Sequence, residues 1–213
     1  MIVDGLQPDP RRPGSTRVSV GGKPAWTVPA AVVADLALTV GSTVVPAAAD
    51  RLDRAADEEG AIRAALRMLE RRAHSRTELG RKLMAKGHGD AAALAALLRL
   101  DELGLIDDAA FAQAYVSARA GRGRGAARLR RDLGALGVAE PIILRALSAL
   151  DDGSAPDPWL RTLEQAERRA KAMRGLPRQA RLRRLGAFLA RRGFTGSEAN
   201  AAVRRLIGGP QGG

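Results

Sequence analysis

Residues 117–131 read SARAGRGRGAARLRR, with six arginines (Arg119, Arg122, Arg124, Arg128, Arg130, Arg131), three glycines (Gly121, Gly123, Gly125) and no acid. Guanidinium groups at this density pair with phosphates or carboxylates through a planar, bidentate fork. The same glycines could instead cradle a nucleotide, or the stretch could simply keep a helical surface solvated. A phosphate loop needs glycines at set spacings between a buried strand and a helix N-terminus. Here Ala126 stands where G-x-G-x-x-G would require glycine, no G-K-[ST] follows, and the preceding FAQAYVSARA has helical apolar spacing at Phe111, Ala114, Tyr115 and Ala118. A nucleotide site is therefore not expected.

Other chemistry finds little support. His74 and His88 lie 14 residues apart without cysteine or an H-E-x-x-H pattern, so each reads as a cap or surface residue. Asp101, Glu102, Asp107 and Asp108 could be imagined around a cation, yet their spacing suits the end of one helix and the start of the next. No serine has G-x-S-x-G or S-x-x-K context. We expect no catalytic residues, metal or cofactor, and no enzyme.

The elements that must position the arginines form a repeat. Leu79-x3-Leu83-x3-Gly87, Leu129-x3-Leu133-x3-Gly137 and Leu185-x3-Leu189-x3-Gly193 each describe a helix with buried leucines four apart and a glycine able to take the left-handed cap conformation. The residues that follow, His88, Val138 and Phe194, can fold back on the helix. Helices are expected before each (Ala61–Arg72, Ala109–Ala120, Leu160–Met173) and after each (Ala92–Leu100, Pro141–Leu150, Ser197–Leu206). Capping boxes at Ser75–Glu78 and Thr195–Glu198, an N-cap at Asp107 or Asp108 and a first-turn Pro141 agree with this parse. The unit is three helices in about 50 residues, and stacked units share the burial that one alone cannot supply.

The resulting organisation is mainly α. It comprises a disordered 1–15, a small β-hairpin plus helix extension over 16–58, and three-helix repeats at 59–106, 107–150 and 159–207. A turn-rich linker spans 151–158 and a disordered tail 208–213. In the extension, TRVSV-GGK-PAWTVP alternates around a Gly-Gly turn, VPAAVVADLAL suits a short helix entered through Pro29, and GSTVV a short third strand.

Net charge is +12 but unevenly spread: −2 over residues 1–60, +7 over 61–150, −3 over 151–158 and +10 over 159–213. Single-sign clustering of this kind points to a polyanionic partner. On the helix beginning at Ala126, Leu129, Leu133 and Leu136 fall within about 60° of one another. Arg128, Arg130 and Arg131 then lie outside that stripe, while Arg122 and Arg124 extend the charge through the preceding turn. Arg81, Lys82 and Lys86 take equivalent positions in the first unit, and Arg183, Arg184, Arg191 and Arg192 in the third. A merely solvated face would interleave Glu at i, i+4, and these helices offer only Glu78 and Asp132. No cysteine, no apolar run of ~20 residues and a first stretch, MIVDGLQPDPRRPG, without a signal peptide's apolar core lead us to expect a soluble cytoplasmic protein without membrane contact.

At HSRTELGRKLMAKG (74–87), LDELGLIDDAAFAQAYVSAR (100–119), RGRGAARLRRDLGALGV (122–138) and FLARRGF (188–194) the sequence resembles the RecX family, small bacterial regulators of the RecA recombinase. The resemblance runs from about residue 60 to 207. It implies three tandem three-helix repeats in an elongated, curved rod with a basic face, docking in the groove of a RecA–DNA filament and suppressing ATP hydrolysis and strand exchange. Carried across by position, it puts Arg119, Arg122, Arg124 and Arg128 at the filament, with Lys82, Lys86 and Arg131 next and Arg191 and Arg192 in the third repeat. This chain departs from the family's pattern at Ala126, often proline, and at Gly80 and Gly134, which sit inside helices. The expected partners are the RecA filament and single- or double-stranded DNA, the latter weak and sequence-nonspecific, bound by a monomer. A stand-alone DNA-binding protein or repressor acting through the same basic surface is the competing expectation. Few aromatics argue against stacking on single strands.

Overall fold

The computed structural model describes residues 1–208, which divide into two compact units meeting in sequence at Ile106 and Asp107.

In the first unit, alternating residues build an antiparallel sheet of order β1-β2-β3, with β1 Val3–Pro8, β2 Ser15–Val20 and β3 Lys23–Pro29. Gly21 (φ 62°) and Gly22 (φ 74°) both take the left-handed conformation that a tight two-residue hairpin requires. Two expectations fail here. The first 15 residues, expected to be disordered, supply β1, because Val3 and Leu6 pair across to Val20 and Val18 of β2. The prolines and glycine between residues 8 and 14 form the turn of a second hairpin, closed where the Asp9 amide donates to the Ser15 carbonyl. GSTVV forms no strand; Thr43 makes one isolated bridge to Ile2.

The short α1 (Ala30–Asp35) leads to α2 (Pro46–Arg71), a 26-residue helix that starts 15 residues earlier than the expected Ala61. It therefore crosses the expected boundary at residues 58–59 without a break. Its N-terminal half closes the sheet: Leu52 is buried with Val3, Val18, Trp26 and Val28, and the Trp26 indole donates to Asp53 at 2.6 Å. Its C-terminal half packs Ala61, Ala64 and Ala65 against Leu79 and Leu83 of α3 (Arg76–Ala85) and Leu97 and Leu100 of α4 (Asp90–Glu102). Small alanines let these helices approach, and at Gly80 a Cβ would come within 3.1 Å of Leu97. The helix propensity surrendered at Gly80 thus serves close packing.

The second unit holds α5 (Asp108–Ala120), α6 (Ala126–Ala135) and α7 (Glu140–Asp151) around Phe111, Val116, Leu129, Leu133 and Ile143. It also holds α8 (Pro158–Ala172), α9 (Arg178–Arg192) and α10 (Ser197–Ile207) around Ala166, Leu185, Phe188, Leu189 and Val203. Burying each leucine contributes about 1.5–3 kcal/mol, and most such side chains here are fully enclosed. On α5 the buried face is Phe111, Ala112, Val116 and Ala120; Ala114 and Ala118, whose apolar spacing set them on one face with Phe111 and Tyr115, are exposed.

Helix ends follow the cap chemistry of the repeat. Gly87 (φ 91°), Gly137 (φ 78°) and Gly193 (φ 94°) are left-handed, and the next amides, His88, Val138 and Phe194, donate to the carbonyls of Leu83, Leu133 and Leu189. Asp107 caps α5 by accepting from Ala109 and Ala110, and Ser75 caps α3 by accepting from Glu78, each worth about 1 kcal/mol. The expected box at Thr195–Glu198 does not form: Gly196, at φ 92°, is the N-cap of α10 and no side chain caps it. The tail beyond Gly208 lies outside the described residues.

Candidate polyanion-binding site

Within the second unit a cleft of about 630 Å³ lies where α5, α6, α8 and α9 converge. Eight arginines line it. Arg119 comes from the last turn of α5, Arg122 and Arg124 from the α5–α6 turn, Arg128 from α6, Arg161 and Arg169 from α8, and Arg191 and Arg192 from the end of α9. Gln165 and Phe188 join them, and among the described residues no carboxylate lines the cleft.

The glycines of the opening stretch explain how repeats two and three come this close. Gly123, at φ 77°, is the one of the three that needs the left-handed region, and its carbonyl accepts from the buried Thr162 hydroxyl of α8 at 2.8 Å. Gly125 has an ordinary φ of −73° but faces Phe194, whose ring would lie 2.8 Å from an added Cβ. A Cβ added at Gly193 would likewise lie 2.6 Å from the backbone nitrogen of Arg128. The Gly125 amide donates to the Arg192 carbonyl at 2.8 Å, and the Arg192 guanidinium donates back to the Arg122 carbonyl at 2.5 Å. With its left-handed φ, Gly123 serves the turn itself. Gly123 and Gly125 also admit the neighbouring repeat, since a Cβ at either would overlap Thr162 or Phe194.

Electrostatically the cleft is under-compensated. Asp132, at its edge on α6, binds Arg124 at 2.6 Å and Arg128 at 2.8 Å. Arg161 pairs with Glu164 at 2.7 Å. Arg119, Arg122, Arg169, Arg191 and Arg192 have no carboxylate partner among the described residues. Three of them lie over aromatic rings: Arg119 is 5.1 Å from the Tyr115 ring centre, and Arg169 and Arg192 sit 4.5 and 5.4 Å from that of Phe188. Burial, together with the charges of Arg124 and Arg169, pushes the Arg192 guanidinium below its ordinary pKa. Like charges fixed this closely by backbone hydrogen bonds and packing favour any entering anion.

Of the residues singled out from sequence, Arg119, Arg122, Arg124, Arg128, Arg191 and Arg192 meet at this cleft. Arg124 and Arg128 are partly neutralised by Asp132; the i, i+4 spacing announces the Arg128 pair, while the Arg124 pair depends on how the α5–α6 turn folds back on α6. Arg131 does not line the cleft and lies along its own helix, 3.4 Å from the Ala127 carbonyl. Lys82 and Lys86 belong to the first unit, where Lys82 pairs with Glu78 at 3.2 Å and Lys86 caps α3. Arg161, Gln165 and Arg169 were missed. Their i, i+4, i+8 spacing along one face of α8 was the signal available.

The first unit carries its own polar centre. Glu78 is held by Arg72 (2.5 Å), His74 (2.9 Å) and Lys82 (3.2 Å). Burial alone would raise its pKa, but hydrogen bonds from Arg72, His74 and Lys82 outweigh it and bring the carboxyl down to about 2. Asp101 pairs with Arg76 and Glu102 with Arg99, so these acids form separate ion pairs rather than gather around one point. Among the described residues no helix is long and apolar enough to cross a membrane.

Sequence comparison matches models of the first, second and third three-helix domains of RecX at residues 61–100, 107–147 and 160–203. "Regulatory protein RecX" of Xanthomonas axonopodis pv. citri is 39% identical over 69% of this chain and 88% of its own length. The protein of the same name from Halorhodospira halophila is 38% identical over 66% of this chain and 84% of its own. Among solved structures, a regulatory protein RecX superposes with a TM-score of 0.67 at 20% identity, covering 97% of this chain and 98% of that one. RecX from Lactobacillus salivarius gives 0.56 at 20% identity over 70% and 96%.

Proposed function

The chain belongs to the RecX family of regulatory proteins, and from that premise we propose that it is a negative modulator of the RecA recombinase. It binds the RecA–DNA filament and suppresses its ATPase, strand-exchange and coprotease activities. The observation that supports this reading is the cleft in which eight arginines converge without a lining carboxylate. A nucleoprotein filament presents the matching chemistry, a regular run of phosphates beside protein carboxylates. Guanidinium forks bind both, and desolvation in a cleft strengthens the pairing.

Arg119, Arg122, Arg191 and Arg192 contact the filament directly, with Arg124 and Arg128 positioned beside them by Asp132. Lys82, Lys86 and Arg131 supply further contacts. A monomer seated in the filament groove impedes the second DNA strand and the protomer rearrangements that accompany ATP turnover. Affinity for bare single- or double-stranded DNA is weak, sequence-blind and steeply salt-dependent, because the contacts are to phosphate.

The test is RecA ATPase on single-stranded DNA, with this protein titrated well below saturation of the strand. Inhibition at substoichiometric amounts relative to recombinase is expected. Inhibition only when the DNA is coated would support the competing reading, a stand-alone DNA-binding protein that competes for the strand. No inhibition at all would refute the modulator assignment.

A further inference from the structure

A second groove, of about 470 Å³, lies on the third repeat between the C-terminal end of α8 and α9. Its floor is apolar, formed around Met173, Leu185 and Phe188, and its rim carries Arg169, Arg183, Arg184 and Arg191. None of these four arginines has a carboxylate partner among the described residues.

The repeat itself shows why this is unusual. In each middle helix one position directly precedes each of the two buried leucines. In α3 these positions hold Glu78 and Lys82, in α6 Arg128 and Asp132, and in α9 Arg184 and Phe188. Glu78 gathers Arg72, His74 and Lys82, and Asp132 gathers Arg124 and Arg128. The middle helix of each of the first two repeats thus carries an acid that pairs with the basic residues beside it. The third holds Arg184 and Phe188 at these positions, and the four arginines around the apolar floor have no carboxylate, while Glu164 of α8 serves Arg161 and Arg168.

From this combination we infer that the α8–α9 groove is a docking site for an acidic peptide segment of a protein partner, anchored by an apolar side chain. The carboxylates would supply the compensation that the repeat lacks, and an aliphatic or aromatic side chain would rest on Met173. Charge alone would suit nucleic acid equally, but the floor does not. The Phe188 ring is 5% exposed and already covered by Arg169 and Arg192, so it offers no face for a base to stack upon. The inference does not rest on the recombinase reading. Arg183 and Arg184 line this groove and not the arginine cleft, so the two sites can be separated by mutation.

The experiment uses the full chain and three labelled probes followed by fluorescence anisotropy. One is a peptide in which leucine and phenylalanine are flanked by runs of glutamate, another the same peptide with serine at the two apolar positions, and the third an oligothymidylate of equal charge. The apolar peptide should bind at least about tenfold more tightly than its serine counterpart. R183E/R184E should lose at least about tenfold of that affinity, while R119E/R122E, altered only in the cleft, should keep it. Both pairs are surface changes, and circular dichroism checks that each variant is folded. Equal binding of the two peptides, loss in R119E/R122E rather than R183E/R184E, or displacement by oligothymidylate as readily as by peptide would each overturn the inference.

Discussion

Replacing Gly193 with alanine should dismantle the arginine cleft without touching an arginine. Gly193 sits at φ 94°, where an L side chain is strained, and its Cβ would come within 2.6 Å of the Arg128 nitrogen and 2.7 Å of the Arg128 Cβ. Gly87 ends the corresponding helix of the first repeat at φ 91°, yet nothing lies within 4 Å of an added Cβ there. Gly87→Ala therefore incurs only the left-handed backbone strain, about 1–2 kcal/mol. Gly193→Ala incurs that and an overlap with a neighbouring helix, about 1–3 kcal/mol more. The overlap falls on the contact that also carries the bond from the Gly125 amide to the Arg192 carbonyl, so relaxing it moves Arg191 and Arg192 away from Arg122 and Arg128. Trp26 and Trp159, one in each unit, report the two stability losses in urea titrations. Anisotropy of a labelled oligothymidylate reports the cleft. We expect Gly193→Ala to lose about 2–5 kcal/mol and about tenfold in binding, and Gly87→Ala about 1–2 kcal/mol with binding unchanged. A Gly193→Ala protein as stable as Gly87→Ala, with full binding, would refute the view that this close approach assembles the site.

The other predictions concern charge and local propensity. Arg122→Glu with Arg191→Glu should remove filament inhibition and reduce the salt dependence of DNA binding by about two phosphate contacts, seen as a shallower slope of log K against log salt; an unchanged slope would contradict the assignment. For Glu78 the folded pKa of about 2 lies below its ordinary 4.5, so its ion pairs stabilise the fold above pH 4.5 and that contribution is lost as pH falls towards 2. The full shift corresponds to about 3 kcal/mol. Arg72 and Lys82 are half-exposed, so we expect about 1–2 kcal/mol after screening, read as the part of the pH 3-to-7 stability difference that Glu78→Gln abolishes. Gly134, inside α6 with nothing within 4 Å of an added Cβ, should gain up to about 1 kcal/mol on replacement by alanine, checked by thermal melting.

The sequence by itself determined the helical class, because buried leucines four apart and a glycine cap are local signals that each helix carries within its own turns. The caps at Ser75 and Asp107 and the left-handed glycines at 87, 137 and 193 were legible for that reason. It also marked Arg119, Arg122, Arg124 and Arg128, and after them Arg191 and Arg192, as a basic cluster with few acids nearby. What it could not show were relations between segments far apart in the chain. One is the seating of Leu52, in the N-terminal half of α2, against Val3, Val18, Trp26 and Val28; the β1–β2 hairpin and the Gly196 cap, by contrast, are local features that composition left open. The arginine cleft is the clearest case. The addition of Arg161 and Arg169 by α8, and the admission of Phe194 and Arg128 by Gly125 and Gly193, are decided by the packing of repeat three on repeat two. Spacing along a helix fixes which face a side chain takes; only close packing fixes which other face it meets.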